Sequence, residues 1–180
     1  MITELLRDLE ELAVAASSPG RRATRLAVLT RTDSIPILWL HRLPRTRLGR
    51  RIPLLRWATR RMLAMVYGME LGADVQLGPG VFFVHPQGII VGGDARVGAR
   101  VRFYGDNTVG TAKDNGYPVI DEDVRIGCGA RVLGPVHIGA RAVIGANAVV
   151  LSDVPPDQVV AGVPARVVGQ AGAAAAGRPA

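Results

Sequence analysis

Apolar residues recur every six positions along the central and C-terminal parts of this chain. In a first register, usually followed by glycine, they are Leu71, Leu77, Phe83, Val91, Val97, Phe103, Val109, Ile120, Ile126, Val132, Ile138, Ile144 and Val150. A second register, four residues later, holds Val75, Val81, Ala95, Val101, Val124, Ala130, Val136, Ala142 and Ala148. A fixed short period is typical of solenoids, and hexapeptide repeats build parallel β-helices. The pattern predicts a mainly β protein with four to five coils of three hexapeptides, starting at residue 71.

Residues 1–70 lack this period and are predicted to form a small α-helical cap. Residues 2–16 fit an amphipathic helix with an apolar face formed by Leu5, Leu9 and Leu12, and with Asp8 and Glu11 off that face. Further helical segments are expected at about 21–31 and from Pro53 to about Tyr67. The candidate packing residues of the latter are Leu54, Leu55, Trp57, Met62 and Met65. Because the raw end of a solenoid exposes unpaired strand edges, we expect the cap to cover it.

The period breaks twice, and each break predicts a segment that leaves the coil. Phe83 and Val91 are eight residues apart instead of six, and His85 lies between them. Val109 and Ile120 are eleven residues apart, which predicts a polar loop. Surplus residues in a solenoid project outward on one face, often the binding face.

Composition and charge narrow the class of protein. The 180 residues suit one domain with an appendage, and the formal charge of +7 is uneven: residues 20–66 hold twelve arginines against one acid, Asp33. Such a stretch suits nucleic acid, a membrane surface or an acidic partner, but no nucleic-acid motif or aromatic platform accompanies it. A solvated helical face is therefore favoured, with neither nucleic acid nor membrane as partner.

Three further features indicate a cytoplasmic protein. The lone cysteine, Cys128, excludes an intramolecular disulfide and suits a reducing compartment. The N-terminus opens with acids instead of the basic residues of a signal peptide, and no apolar run approaches membrane-spanning length. Residues 170–180 are rich in alanine and glycine and are expected to be a disordered tail.

Five segments carry a resemblance to a known family. They are Phe83–Gly92 (FVHPQGIIVG), Val109–Thr111 (VGT), Ile126–Gly134 (IGCGARVLG), Ile144–Val150 (IGANAVV) and Ala161–Gly169 (AGVPARVVG). This series resembles the serine O-acetyltransferases, a family of left-handed β-helix acyltransferases, over roughly residues 50–169. The resemblance implies a left-handed β-helical acyltransferase domain over residues 71–169 that uses acetyl-CoA as co-substrate and needs no metal.

The resemblance also assigns roles to individual residues. His85 matches the family's general base, a task that suits a group whose pKa lies near the working pH. Glu70 stands where the family has the aspartate that orients this base, fifteen residues earlier. The positions implied for the coenzyme groove are Gly110, Thr111, Cys128, Ala146, Gly162, Pro164 and Arg166. A groove between neighbouring prisms implies a homotrimer, with a dimer of trimers as a further state.

Departures from the family affect the acceptor site. Val84 replaces the aspartate that precedes the base, and Tyr117 follows Gly116 where the family has an arginine–histidine pair before proline. Asp106, together with Asp114 and Arg102, is a candidate substitute, so Val84, Asp106 and Tyr117 are the predicted acceptor-binding positions.

Three functions stay open at this point. The first is O-acetylation of L-serine for cysteine biosynthesis, and the second is O-acetylation of a hydroxyl on a sugar or specialised metabolite. The third is a non-catalytic assembly subunit. A zinc enzyme on the same scaffold is disfavoured because His41, His85 and His137 lack clustered spacing.

Overall fold

The structure of the protein, a computed structural model, describes residues 2–15, 32–52 and 54–172. Its helices are α1 (Ile2–Ala15), α2 (Ser34–Arg42) and α3 (Leu55–Tyr67), with 3-10 turns at Leu43–Arg45 and Gly49–Arg51. The strands are β1 (Glu70–Leu71), β2 (Gln76–Leu77), β3 (Phe82–Phe83), β4 (Ile90–Val91), β5 (Arg96–Val97), β6 (Arg102–Phe103), β7 (Thr108–Gly110), β8 (Val119–Ile120), β9 (Arg125–Ile126), β10 (Arg131–Leu133), β11 (His137–Ile138), β12 (Val143–Ile144), β13 (Val149–Val150), β14 (Gln158–Ala161) and β15 (Arg166–Gln170).

The strands wind into a β-solenoid of about five turns with three flat faces. The first face has the order β1-β4-β7-β10-β13, the second β2-β5-β8-β11, and the third β3-β6-β9-β12-β14-β15. All pairings are parallel except that of β14 with β15. Each coil consists of three hexapeptides, so equivalent strands of successive coils lie on the same face and pair in parallel, as the hexapeptide period predicts.

The first register of the sequence forms three ladders inside the solenoid. The ladders are Leu71, Val91, Val109, Val132 and Val150 on the first face; Leu77, Val97, Ile120 and Ile138 on the second; and Phe83, Phe103, Ile126 and Ile144 on the third, where Val160, which is not part of the predicted register, extends the ladder. All of them are buried except Leu77, which is partly buried. The second register is buried as well, so the prediction of a hexapeptide core is confirmed. The rings of Phe83 and Phe103 stack with centroids 5.4 Å apart.

The helical cap covers the first coil and exchanges hydrogen bonds with it. In the described part of the chain, no coil lies beyond this one to pair with the carbonyls of its second face. Arg45 Nη2 donates to Val75 O (2.7 Å) and Ala73 O (2.9 Å), and Arg42 Nη2 donates to Gly78 O (3.2 Å). On the third face, the Phe83 amide donates to Ser34 Oγ at 2.9 Å. The predicted covering of the raw end is therefore confirmed, and two of the clustered arginines pair with backbone instead of forming a solvated face.

Helix α1 forms as predicted, with Leu12 fully buried and Leu9 partly buried, but the expectation that Asp8 lies off the apolar face is wrong. Asp8 is completely buried. Its Oδ1 accepts hydrogen bonds from Arg42 Nη2 and from the Gly80 amide, both at 3.0 Å. Asp8 faces inward because the turn after β2 offers an unpaired amide at that point, a tertiary demand that helical periodicity does not encode.

Helix α3 also forms, but the predicted packing residues are wrong. Leu54, Trp57, Met62 and Met65 are at least half exposed and Leu55 is partly buried, whereas Thr59 and Leu63 face the solenoid. These two residues are four positions apart and form one narrow stripe, which packs against the first face of the solenoid. Burial of these two residues sets the rotation of the helix, and its wider apolar face therefore points outward.

At the C-terminal end, β15 folds back antiparallel on β14 and closes the third face. Gln170, predicted to begin the tail, is the last residue of β15; residues 173–180 of that predicted tail lie outside the described residues. The helical segment expected at about 21–31, like Pro53, also lies outside them. Within the described part of the chain, no helix is long and apolar enough to cross a membrane.

Candidate active site

The first break in the period lies where the third face turns into the first. The turns at this position are residues 84–89, 104–107, 127–130 and 145–148, and the hairpin turn 162–165 between β14 and β15 lies beside the last of them. We call these five turns the His85 edge. The turn that carries His85 has six residues between its strands, whereas each of the next three turns has four. The two surplus residues make the first turn project, and His85 is exposed there.

A constant offset places the residues of this edge above one another. His85, Gly105, Cys128, Ala146 and Gly162 each stand two residues after an inward residue of the third face. Backbone hydrogen bonds join successive turns, from the Gly129 amide to Gly105 O (3.0 Å) and from the Asn147 amide to Cys128 O (2.9 Å). The predicted base and three predicted coenzyme positions at this offset, Cys128, Ala146 and Gly162, therefore share one edge, and Pro164 lies on it as well.

The turn 104–107 is the floor on which the His85 turn rests. Gly105 has a φ of +106°, and a Cβ there would lie 3.0 Å from the His85 carbonyl oxygen and 3.2 Å from His85 Cβ. The floor is held from inside by Asn107, which is fully buried. Its Oδ1 accepts from the Gly105 amide (3.1 Å), and its Nδ2 donates to Gly127 O (2.7 Å).

Asp106, predicted to contact the acceptor, lies on the same floor. Its amide donates to Gln87 O (2.9 Å), and its Oδ1 lies 3.3 Å from Arg131 Nη2. Arg131 Nη1 also donates to the backbone oxygens of Asp106 and Gly129. Val84, the other predicted acceptor position on this edge, is half-buried, and its amide donates to Phe103 O at 2.8 Å.

Glu70 begins β1, the strand of the first coil that pairs with β4 at the end of the His85 turn. It is in register with Ile90, and its amide donates to Ile89 O at 2.8 Å. Its exposed carboxylate accepts a hydrogen bond from Arg60 Nη2 on α3, with Oε1 at 3.1 Å. Among the described residues, no hydrogen bond joins Glu70 to His85. The structure thus places Glu70 beside the turn that carries His85 but pairs its carboxylate with the cap.

The remaining predicted coenzyme residues divide between two places. Gly110 ends β7, and Thr111 follows at the start of the loop 111–118, on the opposite edge of the first face from His85. The Thr111 hydroxyl is buried and lacks a hydrogen-bond partner among the described residues. Pro164 lies in the last turn of the His85 edge, and the exposed Arg166 starts β15 with Nη1 2.9 Å from Ala165 O.

Tyr117 lies on that opposite edge as well. The predicted loop forms between β7 and β8, and the ring of Tyr117 folds back over Gly93. A Cβ on Gly93 would lie 2.0 Å from the ring, so a larger residue there would push the ring away. Within one chain, β4 separates Tyr117 from His85, and the structure does not bring these two predicted site residues together.

Sequence reasoning missed Arg60, Gly105 and Arg131 as neighbours of the site. The constant offset from the inward residues of the third face was a usable signal for Gly105. No period links Arg60 to Glu70, because helix and solenoid repeat differently. Across the described residues, no group of three or more His, Cys, Asp or Glu side chains is arranged to hold a metal ion.

Comparison with known proteins identifies the relatives of this chain. A family model described as bacterial transferase hexapeptide (six repeats) matches residues 117–152. The serine acetyltransferase of Mycobacterium tuberculosis is 37% identical over 150 residues, 82% of this chain and 66% of that protein. The chain thus spans just under two thirds of that relative's length.

Two further comparisons extend the match. A solved serine acetyltransferase in complex with CoA aligns with a TM-score of 0.81 and 26% identity, covering 93% of this chain and 69% of that one. The serine acetyltransferase of Bacillus licheniformis is 31% identical over 166 residues, 91% of this chain and 77% of that protein. With relatives of this identity along most of both chains, the protein belongs to the serine acetyltransferase family.

Proposed function

We propose that the protein is an acetyl-CoA-dependent O-acetyltransferase with L-serine as its acceptor, which would make O-acetylserine for cysteine biosynthesis. The observation that carries the proposal is the shared position of His85, Cys128, Ala146 and Gly162 along one edge of the solenoid. This arrangement sets a base at one end of a track of small residues. Membership of a family whose members are named serine acetyltransferases supports the acceptor, and the complex of one member with CoA supports the donor.

The proposed reaction needs one base that later returns its proton. A ring nitrogen of His85 takes the proton of the acceptor hydroxyl while the oxygen attacks the thioester carbonyl carbon. The new C–O bond forms, the C–S bond breaks, and the coenzyme leaves as a thiolate that receives the proton from the imidazolium. Histidine suits both steps because its ordinary pKa lies near neutral pH. Glu70 would hold the ring in the orientation that presents the free nitrogen.

The coenzyme would lie along the His85 edge. Cys128 and Ala146 are exposed and small, so a pantetheine arm can approach the backbone of their turns. Cys128 serves here as a small lining residue. Gly162, Pro164 and Arg166 would close the far end, with the Arg166 guanidinium suited to a phosphate.

A homotrimer would complete the groove, with a dimer of trimers as a further state. Gly110, Thr111 and Tyr117 lie across the first face from His85, so in this proposal they reach the groove from a neighbouring copy. The buried and unpartnered Thr111 hydroxyl supports this role, because such a group gains from a partner supplied by a ligand.

Acceptor recognition would use the floor of the site. Asp106 and Arg131 present opposite charges 3.3 Å apart beside the His85 turn, which suits the ammonium and carboxylate groups of an amino acid. Val84 and Tyr117 cannot supply the charges that the family has at these positions. This departure favours one second candidate, a hydroxyl on a sugar or specialised metabolite.

We further propose that the enzyme works in the cytoplasm, without nucleic acid or membrane as partner. The exposed thiol of Cys128 suits a reducing compartment. Acetyl-CoA as donor suits the same compartment.

A thiol-release assay with acetyl-CoA and a panel of acceptors tests the function. We expect release that depends on L-serine, and His85→Ala should lower turnover by about two to four orders of magnitude with coenzyme binding intact. Turnover with a sugar or another alcohol, and none with L-serine, would identify that alcohol as the acceptor in place of L-serine. No turnover with any acceptor would favour a non-catalytic subunit, and full turnover by His85→Ala would remove this residue from the mechanism.

A further inference from the structure

Two arginines on one flank of α3 reach the solenoid through equivalent ion pairs. Arg56 Nη2 lies 2.8 Å from Asp74 Oδ1, and Arg60 Nη2 lies 3.1 Å from Glu70 Oε1. The two arginines are one helical turn apart and have similar exposure, 53% and 46% of their side chains. One pair therefore ends on an ordinary surface aspartate, and the other ends on the carboxylate proposed to orient His85.

The segment between α3 and Glu70 is bonded to the turn that carries His85. The Gly88 amide donates to Gly68 O at 3.1 Å, and the Glu70 amide donates to Ile89 O at 2.8 Å. The backbone of Glu70 is thus fixed against the far half of the His85 turn. Its side chain is 61% exposed, so the backbone alone leaves the carboxylate free to rotate.

The Glu70 side chain is long, so its carboxylate needs an anchor to stay in one place. Glutamate has one more rotatable bond than the aspartate that the family resemblance expects here, so holding its carboxylate in one place costs more conformational entropy. A guanidinium on one oxygen restricts this freedom and leaves the second oxygen able to accept a hydrogen bond from an imidazole N–H. In this chain the guanidinium is that of Arg60, whose helix is held in rotation by the buried Thr59 and Leu63.

We propose that Arg60 is a positioning residue of the active site: it holds Glu70 Oε1 so that Oε2 orients the imidazole of His85. The inference rests on the proposed function. It assigns the helical cap a part in the reaction, because the cap supplies the anchor for a side chain of the first coil.

Paired substitutions on α3 test the proposal. In Arg60→Gln the kcat with acetyl-CoA and the accepted acceptor should fall about tenfold, while the KM for acetyl-CoA stays within twofold. Arg56→Gln, the matched control, removes the ion pair between α3 and Asp74, in the turn that follows β1, and should change kcat by less than twofold. Arg60→Lys, which keeps the charge, should recover most of the loss. Equal effects of Arg60→Gln and Arg56→Gln would overturn the proposal.

A double-mutant cycle identifies the residue through which Arg60 acts. In the Glu70→Gln background, Arg60→Gln should have no further effect on kcat, because the anchored carboxylate is gone. An undiminished tenfold loss in that background would contradict the proposal even if the single variant behaved as expected.

A readout without turnover separates this inference from the proposed function. The chain has three histidines, so the ring resonances of His85 can be assigned by their loss in His85→Gln. Both Arg60→Gln and Glu70→Gln should move these resonances, and Arg56→Gln should not. Such shifts in a protein without acetyl transfer would support the positioning contact and reject the function. If the protein is active and Arg60→Gln leaves the His85 resonances unchanged, the positioning role of Arg60 is rejected and the proposed function stands.

Discussion

The solenoid and the helical cap satisfy their buried polar groups by different means. Inside the coils the described side chains are apolar apart from Asn107, since the backbone of each coil pairs with the coils on either side of it. Where cap and first coil meet, Asp8, Ser34, His41 and Thr59 are buried. A repeat can neutralise its backbone only where a neighbouring repeat exists, so its first coil depends on side chains from another element.

This difference makes the cap the electrostatically sensitive region. Burial raises the pKa of Asp8 although Arg42 acts against that shift, and one oxygen of this carboxylate has no partner among the described groups. Burial also lowers the pKa of His41 to about 4, and the charge of Arg45 acts in the same direction. The solenoid's ion pairs, by contrast, lie at exposed corners.

The largest change in stability is expected when the buried ion pair between Asp8 and Arg42 is broken. Asp8→Ala leaves Arg42, whose side chain is 13% exposed, with the exposed Glu4 carboxylate, 4.0 Å away, as its remaining counter-charge among the described residues, and should lower the free energy of unfolding by about 3–5 kcal/mol. Urea unfolding followed by circular dichroism measures the change. The control Arg56→Gln breaks an exposed pair and should cost less than about 1 kcal/mol. A cost for Asp8→Ala no greater than that of the control would contradict the contrast between the regions.

Low pH should destabilise the contact between the cap and the first coil, because His41 is buried there. Its Nε2 lies 2.6 Å from Arg45 Nη1 and 3.1 Å from Val75 O, so a protonated ring would press a second cation against the guanidinium. With a folded pKa of about 4 against an ordinary value of 6.5, the unfolded chain binds more protons in between, and stability falls as pH drops through this window. The full loss is about 3 kcal/mol.

Comparison of wild type with His41→Gln measures this contribution. Unfolding free energies between pH 7 and pH 4.5 should show a steeper decline for the wild type. Asp8 works in the opposite direction, because a raised carboxyl pKa adds stability as pH falls through it, so the difference between the two proteins is the quantity to compare. Parallel pH profiles would show that His41 is not held neutral by the fold.

A smaller effect is expected from filling the floor of the His85 turn. Gly105→Ala forces a side chain into a left-handed conformation and against the His85 carbonyl, which should cost about 1–3 kcal/mol. It should also reduce acetyl transfer, since the base is displaced. Gly169→Ala is the control, because a Cβ there has no atom within 4 Å. Unfolding and thiol-release measurements decide the point, and normal activity in Gly105→Ala would show that the floor does not position His85.

The smallest effect is expected at an exposed corner of the solenoid. Arg100 forms two hydrogen bonds with the Asp123 carboxylate, at 2.8 and 2.7 Å, and these bonds lower the pKa of Asp123. A longer ion pair, of 3.7 Å, joins Arg100 to Glu11 of α1. The side chains of Arg100 and Asp123 are about one third exposed, so Arg100→Gln should cost less than about 1 kcal/mol. A loss comparable to that of Asp8→Ala, measured in the same urea titration, would show that solenoid and cap do not differ in this respect.

Several parts of the site could be read from the chain before its fold was known. The eight-residue interval between Phe83 and Val91 marked the turn of His85, because a hexapeptide coil has no room for two surplus residues except outside. The family resemblance named Cys128 and Ala146 together with His85, and their common offset from the inward residues agrees with the edge that they share in the structure. The partners of Glu70 and Asp106 were not readable, because Arg60 and Arg131 come from elements with unrelated periods.

By itself, the sequence determined the solenoid, its coil length, its inward residues and the position of the projecting histidine. These follow from a repeat in which every coil demands the same residues at the same places. Only the tertiary structure decided that Asp8 is buried, that α3 turns Trp57 and Met65 to solvent, and that Arg60 holds Glu70. The physical reason is that the first coil has no coil beyond it, so the groups that pair with it come from wherever the cap happens to lie in space.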